Sequence, residues 1–518
     1  MLQAISLQVL PAIAHNEFKL KQIASEKLGI APRNIHAVRI IKRSIDARSR
    51  TVKFNIELLC ACNETQKLPQ PTLFFDKKNV LHAPAVHIVG AGPAGLFAAL
   101  QLIERGVKPI IFERGKPVSE RKRDLALLNK NEALNPNSNY CFGEGGAGTF
   151  SDGKLFTRSK KKGNNQRVLE LLVLHGASPE ILIDAHPHLG SDRLPAIITN
   201  IRNTILECGG EVHFNTKVED FIIKNNRIQA VQTSRGMVEV HNLILASGHS
   251  ARDVYYALHQ RGVELQAKPC AMGVRAEHPQ EFIDEVQYHK APMDLLPAAT
   301  YSLAHQVQER GVYSFCMCPG GIIVPSASDF EQTVVNGMSN SQRNSPFANS
   351  GMVVELRIED FAEFSEHGVL AGLKFQEYVE RLAYLNGGKQ QIAPAQRICD
   401  FVKGKISGDL PETSYIPGVI NSPLHFWLPQ TISVRLQEAF KAFDKKLRGY
   451  ASFHSEGLIV GVETRTSSPV RIPRNAETLH HVCIENLFPC GEGAGYSGGI
   501  VSSAVDGMVC AEKILFNS

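Results

Sequence analysis

The stretch Val86-His87-Ile88-Val89-Gly90-Ala91-Gly92-Pro93-Ala94-Gly95-Leu96-Phe97, followed by Ile110-Ile111-Phe112-Glu113-Arg114, constrains this chain more than any other. A short apolar run with β-branched residues reads as a buried parallel strand. Gly90, Gly92 and Gly95 stand in G-x-G-x-x-G spacing, which lets the backbone turn sharply, approach a pyrophosphate and pack a helix on the strand. The helix start offers unpaired N–H groups and a partial positive charge to the phosphates. Glu113 follows Gly90 by 23 residues, at the end of the second strand, where a carboxylate accepts both hydroxyls of an adenosine ribose. Arg114 comes next. The uncharged run 79–103 has the length of a membrane span, but its glycines, its prolines and the prompt return to a second strand argue against one.

At 518 residues the chain exceeds one core and is expected to hold two or three domains. Its 43% hydrophobic and 21% charged residues are those of a water-soluble globular protein. The first ten residues lack a basic segment and alternate like a strand, so no signal peptide and no membrane association are expected. Eleven cysteines show no disulfide framework and no C-x-x-C, which predicts reduced thiols and a cytoplasmic location. No His/Cys cluster has zinc-ligand spacing, so no metal is expected. The net charge of +5 is uneven: residues 1–80 carry 13 Lys+Arg against 6 Asp+Glu. A basic appendage on a near-neutral body is a candidate contact for RNA or an acidic partner, although a merely solvated basic surface is the plainer reading.

Residues 1–60 read as strand (Ala4–Val9), helix (Asn16–Leu28), strand (Ile35–Lys42), polar turn (Ser44–Arg50) and strand (Thr51–Leu58), a small βαββ unit resembling half of a ferredoxin-like layout. Polar residues 61–83 form a linker. A charged helix is expected over Val118–Asn129. The loop after it, through Phe142-Gly143-Glu144-Gly145-Gly146-Ala147-Gly148-Thr149-Phe150-Ser151-Asp152-Gly153-Lys154, is too glycine-dense for a helix or a central strand. Such density suits backbone lying directly on a flat ligand, with Gly145, Gly146, Gly148, Thr149 and Ser151 as contacts. Lys160-Lys161-Lys162 reads as a solvated turn. Alternating segments Glu211–Phe214, Val218–Ile223, Arg227–Thr233 and Met237–His241 predict a meander with Val218 near the nucleotide. Leu243–Ala246, ending in Ser247-Gly248, predicts another central parallel strand that returns the chain to the same ligand.

The second strong signal is Leu487-Phe488-Pro489-Cys490-Gly491-Glu492-Gly493-Ala494-Gly495-Tyr496-Ser497-Gly498-Gly499-Ile500, then an apolar helix over Val501–Leu515. A strand, an acid between glycines and a glycine-rich helix start suit an extended cofactor. Gly491 would let the chain turn, and Glu492 would accept a ribitol hydroxyl. The N–H groups of Gly498, Gly499 and Ile500 would face a flavin edge that gains negative charge on reduction. NAD has no need of this distant second contact, whereas FAD does.

With both ends read, the chain resembles the bacterial FAD-dependent dehydrogenases grouped as NAD(P)/FAD-dependent oxidoreductases. The resemblance runs through the Ser44–Arg48 module, Gly90–Gly95, Phe142–Lys154, Gly273–Pro279, Tyr313–Gly321, Glu463–Ile472 and Gly491–Gly499. One departure is Glu492, where relatives of the wider fold place Asp. The resemblance implies an α/β fold: a Rossmann-like FAD-binding domain of the p-hydroxybenzoate hydroxylase or geranylgeranyl reductase type, with an inserted α+β substrate domain. The expected division is 1–80 as a basic α+β module, 84–250 with 481–518 as the discontinuous FAD-binding domain, and 251–480 as the substrate domain.

The chemistry is less defined. Glu463-Thr464-Arg465-Thr466-Ser467-Ser468-Pro469-Val470-Arg471 is the densest polar group outside the FAD motifs. Arg465 and Arg471 are candidates to fix an anionic substrate, with Glu463 as base or as an arginine's orienter; a structural ion-pair corner is the equal alternative. Arg275, Glu277 and His278 form a second cluster. The lack of a redox C-x-x-C beside the first glycine motif argues against a disulfide reductase; Cys490, Cys316 and Cys318 are candidate flavin or thiol partners, with packing the plainer reading. The expected function is an FAD-dependent oxidoreductase passing hydride between flavin N5 and a small organic substrate. Any NAD(P)H would bind transiently, without a domain of its own. The alternatives are a flavoprotein directed to RNA by residues 1–80 and a flavin-binding redox sensor.

Overall fold

The computed structural model describes residues 2–49, 51–62, 68–69, 73–157, 163–289 and 293–516. The Lys160–Lys162 run and part of the expected linker lie outside them. The fold is mixed α/β, with three principal sheets.

The first motif does what its glycines require. Ala85–Val89 is a buried strand that hands the chain to Gly90, and helix Pro93–Glu104 begins at once with Gly92 as cap and Pro93 in its first turn. That strand is the centre of a parallel five-stranded sheet in the order Leu487–Pro489, Leu243–Leu245, Ala85–Val89, Lys108–Phe112, Glu211–His213. Glu211–His213 was expected in the meander. It instead pairs in parallel with Ile110–Phe112 as the edge strand, and three residues are too few for a sheet pattern to be told from sequence. The antiparallel meander itself comprises Val218–Lys224, Arg227–Thr233 and Gly236–Glu239.

Helix Pro93–Glu104 is apolar all round because it lies between this sheet and the helix Ile500–Phe516. The two helices touch at Gly507, where a Cβ would fall 2.0 Å from the Ala94 carbonyl oxygen. Glycine is the only residue that permits this approach.

The second large sheet has seven strands in the order Ala304–Val307, Arg310–Cys318, Phe347–Leu356, Cys270–Pro279, Leu458–Glu463, Ala393–Arg397, Val419–Asn421. It is antiparallel except at its last pair. Its buried face packs on helices Ala371–Asn386 and Gln430–Lys446.

The N-terminal module is a three-stranded antiparallel sheet, Leu2–Val9, Lys53–Cys62, Ile35–Asp46, with helix Glu17–Leu28 on one face. Asn16 caps that helix by accepting the Lys19 N–H at 3.0 Å, and Gly29 ends it in a left-handed conformation. The hairpin strands run further than the alternation suggested, because ladder pairing continues to Asp46 opposite Lys53. Arg43 joins the module to the body: its N–H bonds the Ile183 carbonyl at 2.8 Å and its guanidinium pairs with Asp184 at 2.8 Å. Lys42 and Arg48 are likewise paired, with Glu57 and Asp46.

Candidate functional site

One cavity, of about 340 Å³, runs from the first glycine turn to the second sheet. Its near end is built by backbone. Gly90 sits at φ +103°, and a Cβ there would lie 2.4 Å from the Ala246 carbonyl oxygen, so the turn requires glycine. Gly92 lines the cavity, whereas Gly95 lies behind it with its Cα against the Gly90 carbonyl. Glu113 lines the cavity and also binds three loops together. It accepts N–H groups from Ala91 at 2.8 Å, Gly115 at 2.9 Å and Gly143 at 3.0 Å. Arg114 forks onto both oxygens of Asp253 at 2.8 Å, and its guanidinium lies 4.3 Å from the centre of the Phe142 ring. That pair offers a flat surface beside Val218, which lines the same end.

The glycine-dense loop folds around Arg121, a fully buried guanidinium that no sequence signal marked as part of a site. It donates to the carbonyls of Asn139 (2.9 Å), Tyr140 (3.1 Å), Glu144 (2.8 Å) and Gly146 (2.9 Å). Burial pushes its pKa down to about 10. Gly146, Gly148 and Ser151 line the cavity. Gly145 and Thr149 do not: the Gly145 N–H bonds the Ala91 carbonyl at 2.8 Å, and the Thr149 hydroxyl bonds the Glu144 carbonyl at 2.8 Å. These two shape the loop, and Gly95 packs its helix against the first strand.

The C-terminal segment closes the opposite side. Gly491 donates its N–H to Asp506 at 2.8 Å, and Gly491, Glu492, Gly498, Gly499 and Ile500 all line the cavity at the start of the last helix. A Cβ on Gly498 would meet nothing within 4 Å, so the wall there is open to a ligand. Gly248 lines the adjoining wall. Beside it His249, absent from the sequence reading, points Nε2 at Glu492 Oε1, 4.0 Å away. Burial, reinforced by Arg465 and Arg252, pushes His249 down to about 3, so the imidazole is neutral. Its buried Nδ1 has no hydrogen-bond partner among the described residues.

Burial raises the Glu492 carboxyl to about 7, with Lys268 offsetting part of the effect. A carboxyl titrating higher in the folded state than in the unfolded one favours folding at low pH and loses that advantage as pH rises through its folded value. In cofactor-free protein, stability should therefore fall between about pH 5 and pH 8 by about 2–3 kcal/mol more than in Glu492→Gln. Urea unfolding of both proteins at the two pH values checks this, and parallel pH curves would refute it.

The far end is walled by side chains of the second sheet and of the loop end. Asp152 and Lys154 lie 3.2 Å apart, and Asp152 also receives a fork from Arg343 at 3.0 and 2.6 Å. Two cations on one buried carboxylate leave a net positive charge at the cavity wall. Arg465 lines the cavity, but its donors are engaged: Glu380 at 3.1 Å twice, Ser328 at 2.6 Å, Gln332 at 3.2 Å and Cys141 at 3.6 Å. It has no fork left for an anion. Glu463 does not line the cavity. It is buried against Arg275 at 2.6 Å, whose charge it sustains against the cost of burial. Arg471 lies outside the lining too, 5.5 Å from the Tyr496 ring. Of the three catalytic candidates only Arg465 lines the cavity, and Arg471 keeps a buried Nε without a hydrogen-bond partner among the described residues. Glu277 and His278 are structural, the first accepting from Thr413 and Ser414, the second bonding the Tyr450 carbonyl at 2.8 Å.

The cavity fits FAD by its own construction. Glycine backbone stands open at Gly92 and Gly498, acids face in at Glu113 and Glu492, and helix starts meet it from both ends. A family model described as FAD binding domain matches residues 83–129, and one described as FAD-dependent protein, C-terminal domain-like, matches residues 269–466. A domain of unknown function matches residues 1–61. An uncharacterized protein of Clostridium beijerinckii is 41% identical over 519 residues, covering 96% of this chain and 95% of that one. Among solved structures, glycine oxidase from Bacillus cereus aligns at 12% identity over 84% of this chain and 96% of its own, with a TM-score of 0.30. L-proline dehydrogenase from P. horikoshii aligns at 12% identity over 84% and 94%, with a TM-score of 0.32.

Proposed function

Because this chain belongs to the family of FAD-dependent proteins that includes the Clostridium beijerinckii relative, we propose that it passes hydride between N5 of its FAD and a small organic substrate. One observation carries the reading: a single cavity joins the dinucleotide turn at Gly90–Gly92 to polar side chains of the second sheet. The p-hydroxybenzoate hydroxylase-type arrangement is part of the same proposal, supported by the meander inserted between the third and fourth parallel strands.

When bound, FAD supplies the two-electron redox chemistry, and the protein contributes position and electrostatics. The Gly92 turn and the first amides of helix Pro93–Glu104 hold the pyrophosphate. Glu113 has three N–H groups on its two oxygens, and a carboxylate offers about four acceptor directions, so one remains for a ribose hydroxyl. Arg114 and Phe142 flank the adenine. Glu492 accepts a ribityl hydroxyl, and the Gly499 and Ile500 amides stabilise negative charge on the flavin's pyrimidine edge.

Lys154, 37% exposed at its side chain, supplies the cationic contact for substrate that Arg465 is too engaged to make. A nicotinamide cofactor would act as a transient donor in the same cleft. The eleven cysteines, none of them in a disulfide among the described residues, support a reducing, cytoplasmic setting.

Purified protein should show flavin absorbance that bleaches anaerobically when a candidate reductant is added. Colourless protein that FAD cannot reconstitute would end the proposal.

A further inference from the structure

Two cysteines for which the sequence leaves both packing and a thiol role open stand at the cavity wall. Cys316 and Cys318 both line the cavity; Cys318 is buried and Cys316 is exposed into it. They end strand Arg310–Cys318, where the ladder with Phe347–Leu356 shifts register between Phe315 and Cys318. Such bulges re-aim side chains and recur beside active sites. Cys316 has φ +44°, a left-handed conformation that cysteine adopts only under constraint. Its carbonyl is held by Arg275 Nη2 at 2.7 Å.

The Cys318 sulfur has two cations on it: Arg275 Nη2 at 3.4 Å and Lys154 Nζ at 4.0 Å. The Arg275 charge is balanced by Glu463, whereas Lys154 shares Asp152 with Arg343. Desolvation in the cavity pushes the Cys316 thiol up to about 11, and the cations beside Cys318 favour negative charge that develops on sulfur during exchange. Residues two apart in an extended strand are about 6.6 Å apart at Cα, the upper end of disulfide reach. The other thiols near the cofactor segment differ. Cys490 and Cys510 are buried without lining the cavity, and the Arg474–Asp506 pair packs against Cys510.

We infer that Cys316 and Cys318 are a redox-active dithiol that opens and closes a disulfide in exchange with the bound FAD. The inference rests on FAD binding but is independent of the hydride-transfer substrate. Closing the disulfide breaks two S–H bonds, forms one S–S bond and releases two electrons and two protons. Oxidised FAD takes both electrons and one proton, and the second proton goes to solvent. Lys154 and Arg275 lie against the Cys318 sulfur, and Cys316 lines the cavity.

The test uses FAD-loaded protein oxidised with ferricyanide, desalted and titrated anaerobically with dithionite. Wild type should take up about four electrons per FAD before full bleaching, while Cys316→Ser and Cys318→Ser retain colour and take up about two. In parallel, iodoacetamide labelling under denaturing conditions and peptide mass analysis should find the oxidised wild-type peptide spanning Cys316 and Cys318 unlabelled and lighter by two hydrogens. An uptake of about two electrons by wild type, with both cysteines alkylated, would overturn the pair and leave FAD binding standing. Protein that neither holds nor regains FAD would overturn both.

Discussion

Gly92→Leu should yield a folded protein without colour, its FAD affinity reduced at least about 100-fold, equivalent to about 2.7 kcal/mol. A Cβ on Gly92 would make only an ordinary contact, with the Gly146 Cα at 3.9 Å, and Gly92 lines the cavity that the rest of the side chain would enter. It would fill the space beside the turn that receives the pyrophosphate. Gly95→Ala is the contrasting control. Its Cβ would lie 1.9 Å from the Gly90 carbonyl oxygen, so the helix must lift off its strand, and stability is lost together with colour. Visible absorbance with thermal unfolding separates the two outcomes. A Gly92→Leu protein with full colour would remove the basis for placing the cofactor at this turn.

Glu380→Gln should destabilise the protein by about 3–5 kcal/mol, the range for stripping the partner from a buried charge. The side chain of Glu380 is fully buried between two arginines, Arg252 at 2.7 Å and Arg465 at 3.1 Å, and also accepts the Thr464 hydroxyl at 2.6 Å. Arg252 has no other carboxylate among the described residues, and its Nε and Nη1 already lack partners. Glutamine keeps the shape and removes the charge, leaving two buried cations. Burial alone would raise the Glu380 carboxyl, but Arg252 and Arg465 overcome it and hold the group down at about 2. A carboxylate depressed in the folded state stabilises above its ordinary range and loses that contribution as pH falls through the folded value. The wild type should therefore weaken between about pH 5 and pH 2 by more than Glu380→Gln does. Urea midpoints across that range measure both effects, and a variant within 1 kcal/mol of wild type at neutral pH would contradict the network.

The cofactor half of the site was legible because its signals are local. A strand, a turn that tolerates only Gly90, a helix capped at Gly92 and an acid at the next strand's end follow from backbone rules over about 25 residues. The last helix and its glycine-rich start were legible for the same reason. Within those motifs, sequence could not separate residues facing the cavity from residues shaping it. Gly145 and Thr149 look like Gly146 and Ser151 until the loop closes on Arg121.

The substrate half was not legible. Glu463 and Arg465 carry the residue types of a catalytic pair, yet their partners Arg275 and Glu380 lie 188 and 85 residues away in sequence and neutralise them in the core. His249, Lys154 and Cys316 meet at one cavity only because the end of a parallel strand, the glycine-dense loop and a strand of the seven-stranded sheet are brought together by long-range packing.

The sequence by itself determined that this chain turns a strand into a helix over glycines twice, and that an acid stands ready at each turn. Local geometry and the small size of glycine suffice for that. Which charges face a ligand and which are cancelled inside the protein was decided only in the tertiary structure, since Coulomb interactions depend on distances that long-range packing alone sets.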